Sequence, residues 1–397
     1  MKIMNTAVIG LGGRGLGMMI DVLLPMENVK ITAVCDVYED RCRDAANAVL
    51  EKKGNEAKTY TDYRKLLDSE TLDAVYIATS WQTHFEIAIY ALEKGVPVAC
   101  EVSPAFSMDQ CWDLVKTWER TKTPLMFMEN CCYGREELMV MNMIEKGVFG
   151  EIVHCDGAYA HDLRSEVAYG YKNRHYRLDN YQKRNCENYP THELGPIAQI
   201  LGINRGNRIL TVSSVSSKAA GLAEYARTHT DCDLTPNSLI NQGDIVTTIL
   251  RCANGQTIRL TLDTTLPRAY SRNFTVHGTK ALYAEDTQSF FIEGVHNQFD
   301  FDWKPQWGNI EEYRKEYEHP VWDKFLNDGV RGGHGGMDWL EFEDFFAHLE
   351  AGEEMPIDVY DMAVWTAVSL LSEESIAMGG QPLAMPDFTN GKWMTRK

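Results

Sequence analysis

The feature that most constrains this chain lies near its start. Residues 6–9 (TAVI) form a short apolar run that ends in Gly10-Leu11-Gly12-Gly13-Arg14-Gly15. Met18, Met19, Val22 and Leu23 then recur at helical spacing, and a second β-branched run, Val29 to Cys35, ends at Asp36. Strand, glycine turn, helix and strand in that order make a βαβ unit. Gly10 allows the tight turn, Gly12 lets the backbone approach a pyrophosphate, and Gly15 lets the helix pack on its strand, with the helix N-terminus facing the negative charge. Asp36, 21 residues beyond Gly15, stands where an acid accepts hydrogen bonds from the adenosine ribose and repels a 2′-phosphate. The unit is therefore expected to bind NAD. Arg41, on the helix that follows, is expected to be a solvated surface charge.

The alternation continues through Asp73 to Thr79, a helical stretch from Phe85 to Lys94, Val96 to Cys100, and Pro124 to Met128. Strands alternating with helices imply a doubly wound parallel sheet, an α/β Rossmann domain over residues 1–130. After that the rhythm changes. A helix from Arg135 to Glu145 precedes longer alternating segments: Glu151 to Tyr159, Arg208 to Ser217, Ile245 to Cys252 with Gln256 to Thr264, and Phe274 to Tyr283. Ala253-Asn254-Gly255 carries the Asn-Gly signal of a hairpin. Residues 131–397 are expected to form an α+β domain on an open, mixed, mostly antiparallel sheet, with late helices at Gly336 to Glu350 and Val359 to Met378. The stretch from Phe290 to Asp328 has no clean period and reads as irregular.

Two domains suit a length of 397 residues. The 39 basic against 57 acidic residues leave a net charge of −18, which repels a phosphate backbone, so no nucleic-acid partner is expected. No apolar run is long enough to span a membrane. The ten cysteines lie mostly in apolar runs without a C-x-x-C pair, a pattern of thiols in a reducing compartment.

The glycine turn, Trp81-Gln82-Thr83-His84, Cys100-Glu101-Val102-Ser103 and Glu129-Asn130 resemble the Gfo/Idh/MocA oxidoreductases across the whole chain. In that family the segment at 101–103 usually reads Glu-Lys-Pro, and the lysine acts near the reacting hydroxyl of a sugar or polyol. Here it reads Glu101-Val102-Ser103, and a valine transfers no proton. One branch without the lysine is the NAD-dependent glycosidases of glycoside hydrolase family 109, of the α-N-acetylgalactosaminidase type. This chain resembles them at Gly12-Gly13-Arg14-Gly15, Tyr159-Ala160-His161-Asp162-Leu163-Arg164, Tyr189-Pro190-Thr191-His192, Asn204-Arg205-Gly206-Asn207-Arg208, Leu266-Pro267-Arg268-Ala269-Tyr270-Ser271-Arg272 and Gly332-Gly333-His334-Gly335-Gly336-Met337-Asp338. The resemblance implies that NAD is held by Gly10, Gly12, Arg14, Gly15, Asp36, Trp81, Gln82, Thr83, His84, Glu101, Val102, Asn130 and Arg177. It implies a sugar on Tyr159, Tyr189, Pro190, Thr191, His192 and Tyr270, with His192, Tyr189 and Tyr159 in the chemistry.

That chemistry has its own logic. Oxidation at C3 of a bound sugar acidifies the proton on C2; its removal expels the C1 substituent, water adds, and reduction at C3 restores NAD. The cycle needs two proton-transfer groups and a polar or aromatic cradle, and His192 with the three tyrosines is of the right type. No carboxylate pair of the ordinary glycosidase kind stands out. Taken singly, Thr191 reads as a helix cap and Tyr159 and Tyr270 as core or rim aromatics; the missing lysine and the dispersed segments together turn the assignment. A sugar or polyol dehydrogenase with His192 in the lysine's place, and a non-catalytic NAD-binding regulator, are the competing readings. His154 and Cys155 point to opposite faces of a strand, and no metal is expected. An exposed sheet face in the second domain implies a homo-oligomer. With no leader sequence apparent, the enzyme is expected in the cytoplasm, acting on small glycosides.

Overall fold

The computed structural model describes residues 2–396. It contains two compact units: Met1–Asn130 with Val330–Val364, and Cys131–Gly329 with Trp365–Lys397. The stretch 330–364, expected to belong with everything after residue 130, returns to the first unit.

In the first unit β1 (Met4–Ile9), β2 (Val29–Cys35), β3 (Lys58–Tyr60), β4 (Ala74–Ile77), β5 (Val98–Glu101) and β6 (Leu125–Met128) form one parallel sheet, ordered β3-β2-β1-β4-β5-β6. These strands are nearly continuous apolar runs because helices cover both faces of such a sheet. The strand order reverses between β1 and β4, and ligands of open α/β sheets bind at the carboxyl ends of strands at such a point. The glycine turn leaves β1 there. Residues 330–364 are held to this sheet by pairing and packing: the Phe127 N–H donates to the Ile357 carbonyl at 3.0 Å, the Tyr76 and Phe342 rings meet edge-on at 5.1 Å, and the Tyr360 hydroxyl donates to Glu119 at 2.6 Å.

The second unit is built on β7 (Ile152–Ala160), β8 (Ile209–Ser216), β9 (Ile245–Cys252), β10 (Thr257–Asp263), β11 (Thr275–Gly278), β12 (Ala281–Ala284), β13 (Ser289–Ile292) and β14 (Leu383–Ala384), ordered β13-β12-β11-β7-β10-β9-β8-β14. Only β7 and β10 run parallel. The Asn-Gly hairpin joins β9 to β10, with Gly255 at φ 94. The helix Thr191–Ile200 packs on β7, and Gly157 makes the close approach possible. A Cβ there would lie 2.8 Å from the Glu193 Cβ and 3.0 Å from Ile197 Cδ1.

Three local expectations are corrected. Phe274 to Tyr283 is two strands joined by a turn at Thr279-Lys280, not one. Phe290 to Asp328 is not irregular: besides β13 it holds the helices Ile310–Tyr317 and Pro320–Asp328. Each is short and buries only one or two large apolar residues (Ile310; Trp322 and Phe325), too few to print a period. Arg41 is not a free surface charge: Nη1 lies 3.6 Å from Asp36 Oδ2, and the guanidinium sits 4.8 Å over the Tyr38 ring.

Among the described residues no helix is long and apolar enough to cross a membrane. The ten cysteines form no disulfide, and all but Cys232 are buried.

Gly157→Ala is expected to overpack the contact between β7 and the helix at 191–200. The unfolding free energy in urea should fall by about 1–3 kcal/mol; an unchanged denaturation midpoint would mean that the helix can shift without cost.

Candidate functional site

In the first unit the glycines at 10 and 15 are fixed by sterics. A Cβ on Gly10, whose φ is +96, would stand 2.4 Å from the Ala78 carbonyl, and one on Gly15 would stand 1.9 Å from the Gly10 oxygen. Gly12 and Gly13 differ: nothing but Arg41 Nη1, at 3.6 Å, comes near the first, and nothing lies within 4 Å of the second. The turn is thus closed on its strand side and open where a ligand backbone would lie. Asp36 accepts the Leu11 N–H at 2.8 Å and the Tyr38 N–H at 3.0 Å, so the acid at the end of β2 also shapes the glycine turn. These features fit a dinucleotide pyrophosphate and ribose.

Arg14 joins the turn to two buried carboxylates. Its Nε donates to Glu101 Oε1 at 2.7 Å, and its Nη1 and Nη2 reach Asp338 at 3.1 Å. Glu101 also accepts the Tyr76 hydroxyl at 2.7 Å, and Asp338 the Asn130 side-chain amide at 2.8 Å. His334 Nδ1 lies 2.7 Å from Asp338 Oδ2. A carboxylate only accepts, so Nδ1 carries the hydrogen and Nε2 is the nitrogen left to exchange a proton. Burial opposes ionisation of Asp338, but the His334 hydrogen bond and Arg14 outweigh it and hold the carboxyl well below its usual range. Glu341, on the same helix as Asp338, is pushed well above the usual range by burial and then by the Glu101 charge.

Other residues expected at the cofactor form the frame of this site. His84 is buried with both ring nitrogens on main-chain carbonyls, Glu101 at 2.9 Å and Thr79 at 3.0 Å, so its ring ties the ends of β4 and β5. Trp81 and Val102 are buried, Gln82 is exposed, and the Thr83 hydroxyl lies 2.8 Å from that of Thr79.

The sugar candidates come together in the second unit. Tyr159, at the end of β7, and Tyr189, just before the helix at 191–200, have ring centroids 4.4 Å apart, and the His192 ring meets them edge-on at 5.4 and 4.8 Å. His161 continues the group to Tyr270, 5.2 Å away and half exposed. Pro190 and Thr191 are buried, and the helix begins at Thr191 without a side-chain cap, so Thr191 does not cap it. Arg177, expected at the cofactor, lies in this unit: its guanidinium sits 5.1 Å over the Tyr189 ring and its Nε is 2.8 Å from Glu166. Burial lifts the Tyr159 phenol to about 12 against the pull of Arg177, and burial with the Arg177 charge lowers His161.

Sequence reasoning gave no cofactor or sugar role to His161, Glu166 and Asp338. His161 was within reach, since it lies two residues beyond Tyr159 and shares its face by strand alternation. Glu166 and Asp338 carry no local signal; each is identified by the arginine it neutralises.

The Asp338 interactions have a pH signature. A carboxyl held below its usual pKa adds stability that is complete above the unfolded value, about 3.9, and is lost as pH falls toward the folded value. Asp338→Asn should lower Tm at neutral pH and flatten the fall in Tm below about pH 4; parallel curves for the two proteins would show that the ion pairs add no net stability.

Comparison with known proteins agrees with this geometry. Residues 4–128 match the model of the oxidoreductase family with an NAD-binding Rossmann fold, and residues 133–395 match that of the glycosyl hydrolase 109 C-terminal domain. A glycosyl hydrolase family 109 protein of Stenotrophomonas maltophilia is 39% identical over 98% of this chain and 90% of its own length. An alpha-N-acetylgalactosaminidase of Tannerella forsythia is 36% identical over 95% of this chain and 85% of its own. Among solved structures, a levoglucosan dehydrogenase in complex with NADH superposes with TM-score 0.71 at 19% identity, over 97% of this chain and all of the other. Myo-inositol 2-dehydrogenase of Lactobacillus plantarum gives 0.69 at 18%, with the same coverage. The dehydrogenases share the fold; the sequence relatives and the second family model go further, and the chain belongs to the glycosyl hydrolase 109 family, a glycosidase with an NAD-binding Rossmann domain.

Proposed function

We propose that this glycosidase hydrolyses small α-N-acetylgalactosaminides with NAD retained through each turnover. The observation that carries the reading is a substitution of chemistry. At the end of β5, Val102 stands where the related dehydrogenases use a lysine, and the second unit holds an imidazole between two buried tyrosines backed by an arginine. The relative named alpha-N-acetylgalactosaminidase supports the substrate class.

When bound, NAD supplies reversible hydride transfer at C3 of the sugar. The protein's own part is to bind the ring and move protons. Tyr159, its phenol lifted to about 12 by burial, stays protonated at neutral pH and donates a hydrogen bond to a sugar oxygen. Tyr189, with Arg177 on its face, supplies a flat wall for the pyranose, Pro190 and Thr191 complete that wall, and Tyr270 closes the exposed rim. His192 exchanges the proton at C2, since an imidazole ring carries both a proton donor and a proton acceptor. The elimination and the water addition need a second proton-transfer group; Tyr189, whose ring centroid lies 4.8 Å from that of His192, is assigned to it.

The open face of the second sheet, with Val215 and Ile249 exposed, supports assembly of two or more copies. The thiols without disulfides support a reducing, cytoplasmic location.

The decisive experiment is a screen of nitrophenyl glycosides with and without added NAD while NADH absorbance is followed. Hydrolysis without net NADH, and deuterium at C2 of the sugar released in D₂O, are expected. NADH rising in step with product would instead establish a dehydrogenase, and hydrolysis without C2 label would mean direct displacement. His192→Ala should fold, retain NAD, and lose about 10²- to 10⁴-fold in turnover.

A further inference from the structure

His334 holds a place in the first unit that folding does not explain. Its side chain is 58% exposed, so it belongs to no core, and the helix Met337–Ala351 starts from Gly336 without a side-chain cap, so it caps nothing. Yet its backbone is left-handed, at φ +49, a conformation unfavourable for a residue with a Cβ and one that persists where function requires it. The loop around it enforces that shape. Gly336 turns at φ +108, and Gly333 lies so close to Asp338 that a Cβ there would stand 2.4 Å from Oδ2. Asp338 thereby accepts from both Arg14 and His334, and Arg14 Nη1 comes within 3.3 Å of His334 Nδ1. With Nδ1 given to Asp338, Nε2 has no hydrogen-bond partner among the described residues. The sheet order says what lies near. Asp36 follows β2 on one side of β1, and Glu101 closes β5 on the other. A dinucleotide with its adenosine ribose on Asp36 and its pyrophosphate at Gly12-Gly13 lays its second nucleoside toward β4 and β5. That is the side on which Arg14 meets Glu101 and His334 stands beside it.

We propose that His334 is a cofactor contact, its Nε2 hydrogen-bonded to a hydroxyl of the nicotinamide ribose, and that the loop at 332–336 clasps NAD through it. A ribose hydroxyl both donates and accepts, so it satisfies Nε2 whether the ring is neutral or cationic; a phosphate oxygen only accepts and suits the cation alone. Asp338 fixes the tautomer, and Arg14 with the Asn130 amide fixes Asp338. The ring is therefore set before the ligand arrives, and little freedom is lost on binding. The loop belongs to the stretch that returns to the first unit from late in the chain, which gives that return a function beyond covering the sheet. The inference concerns NAD binding alone and does not depend on which reaction NAD serves.

The test uses the full chain and three ligands that differ at the proposed contact: NAD and ADP-ribose carry the second ribose, and ADP keeps only the two phosphates. Dissociation constants are read by displacing isotope-labelled NAD from the holoprotein. His334→Ala should weaken NAD and ADP-ribose about tenfold, the loss of one hydrogen bond, and leave ADP unchanged. His334→Asn should show the same pattern, because asparagine accepts the left-handed backbone and keeps the loop in shape while removing the ring. An equal loss for all three ligands would mean that His334 serves the glycine turn or the phosphates, and no loss for any would mean that it does not meet the cofactor; either result overturns the proposal. Nitrogen NMR of the ¹⁵N-histidine-labelled wild type supplies a readout independent of affinity and of variant folding, with the His334 signal identified by its absence in His334→Asn. The Nε2 resonance should move when ADP displaces NAD and stay in place when ADP-ribose does. A resonance that ignores both exchanges, or moves equally in both, overturns the ribose contact. A protein that binds all ligands as expected yet hydrolyses no glycoside would overturn the functional reading and leave this contact standing.

Discussion

The first unit depends on one guanidinium. Arg14 is part of the glycine turn by sequence, and its charge is spent on Glu101 at the end of β5 and on Asp338 from a segment more than 300 residues away. Three carboxyl groups, Glu101, Asp338 and Glu341, are buried around it, and without the arginine their burial would be uncompensated. A single side chain thus fixes the shape of the turn, the end of a neighbouring strand and the docking of the helix Met337–Ala351. The turn stays open at Gly12 and Gly13, while the Arg14 guanidinium is taken up by Glu101 and Asp338.

The second unit solves a different problem, which is to hold an imidazole among aromatic rings without dissolving it in the core. Gly157 removes a side chain from β7 so that the helix at 191–200 can approach, and the helix carries His192 and Glu193 on its first turn. Pro196, inside that helix, has no N–H to give to the carbonyl of residue 192. Arg177 brings a cation to the Tyr189 face, and Glu166 keeps that cation from being an uncompensated charge. The Tyr159 and Tyr189 rings and the His192 imidazole are therefore set by the same strand–helix contact.

Much of this was legible in the sequence where chemistry and backbone geometry coincide. Gly10 and Gly15 could be read because sterics leave no other residue at those points, and the Asn254-Gly255 hairpin because two residues suffice to specify it. Tyr159, Tyr189, His192 and Tyr270 were found through segments that resemble a family, since no periodicity distinguishes them from core aromatics. Asp338 and Glu166 were given no role. Their meaning lies in partners distant in the chain or hidden by burial, and a lone acid prints no signal. The helices Ile310–Tyr317 and Pro320–Asp328 escaped because each buries too few residues to show a helical period. Arg41 was misplaced for the opposite reason: its helix position suggested solvent, while Asp36 and the Tyr38 ring draw the long side chain inward.

The return of residues 330–364 to the first unit has a consequence for how the chain is made. The parallel sheet is complete in sequence by Met128, yet Asp338, Phe342 and Ile357, which neutralise, cover and pair with it, leave the ribosome only after most of the second unit. Until then Arg14 and Glu101 face a gap where Asp338 will sit, and the sheet shows an uncovered apolar flank. The nascent Rossmann half must therefore wait, exposed and partly unneutralised, through the synthesis of some 200 residues, the interval in which a chain of this kind is most open to aggregation and to chaperones.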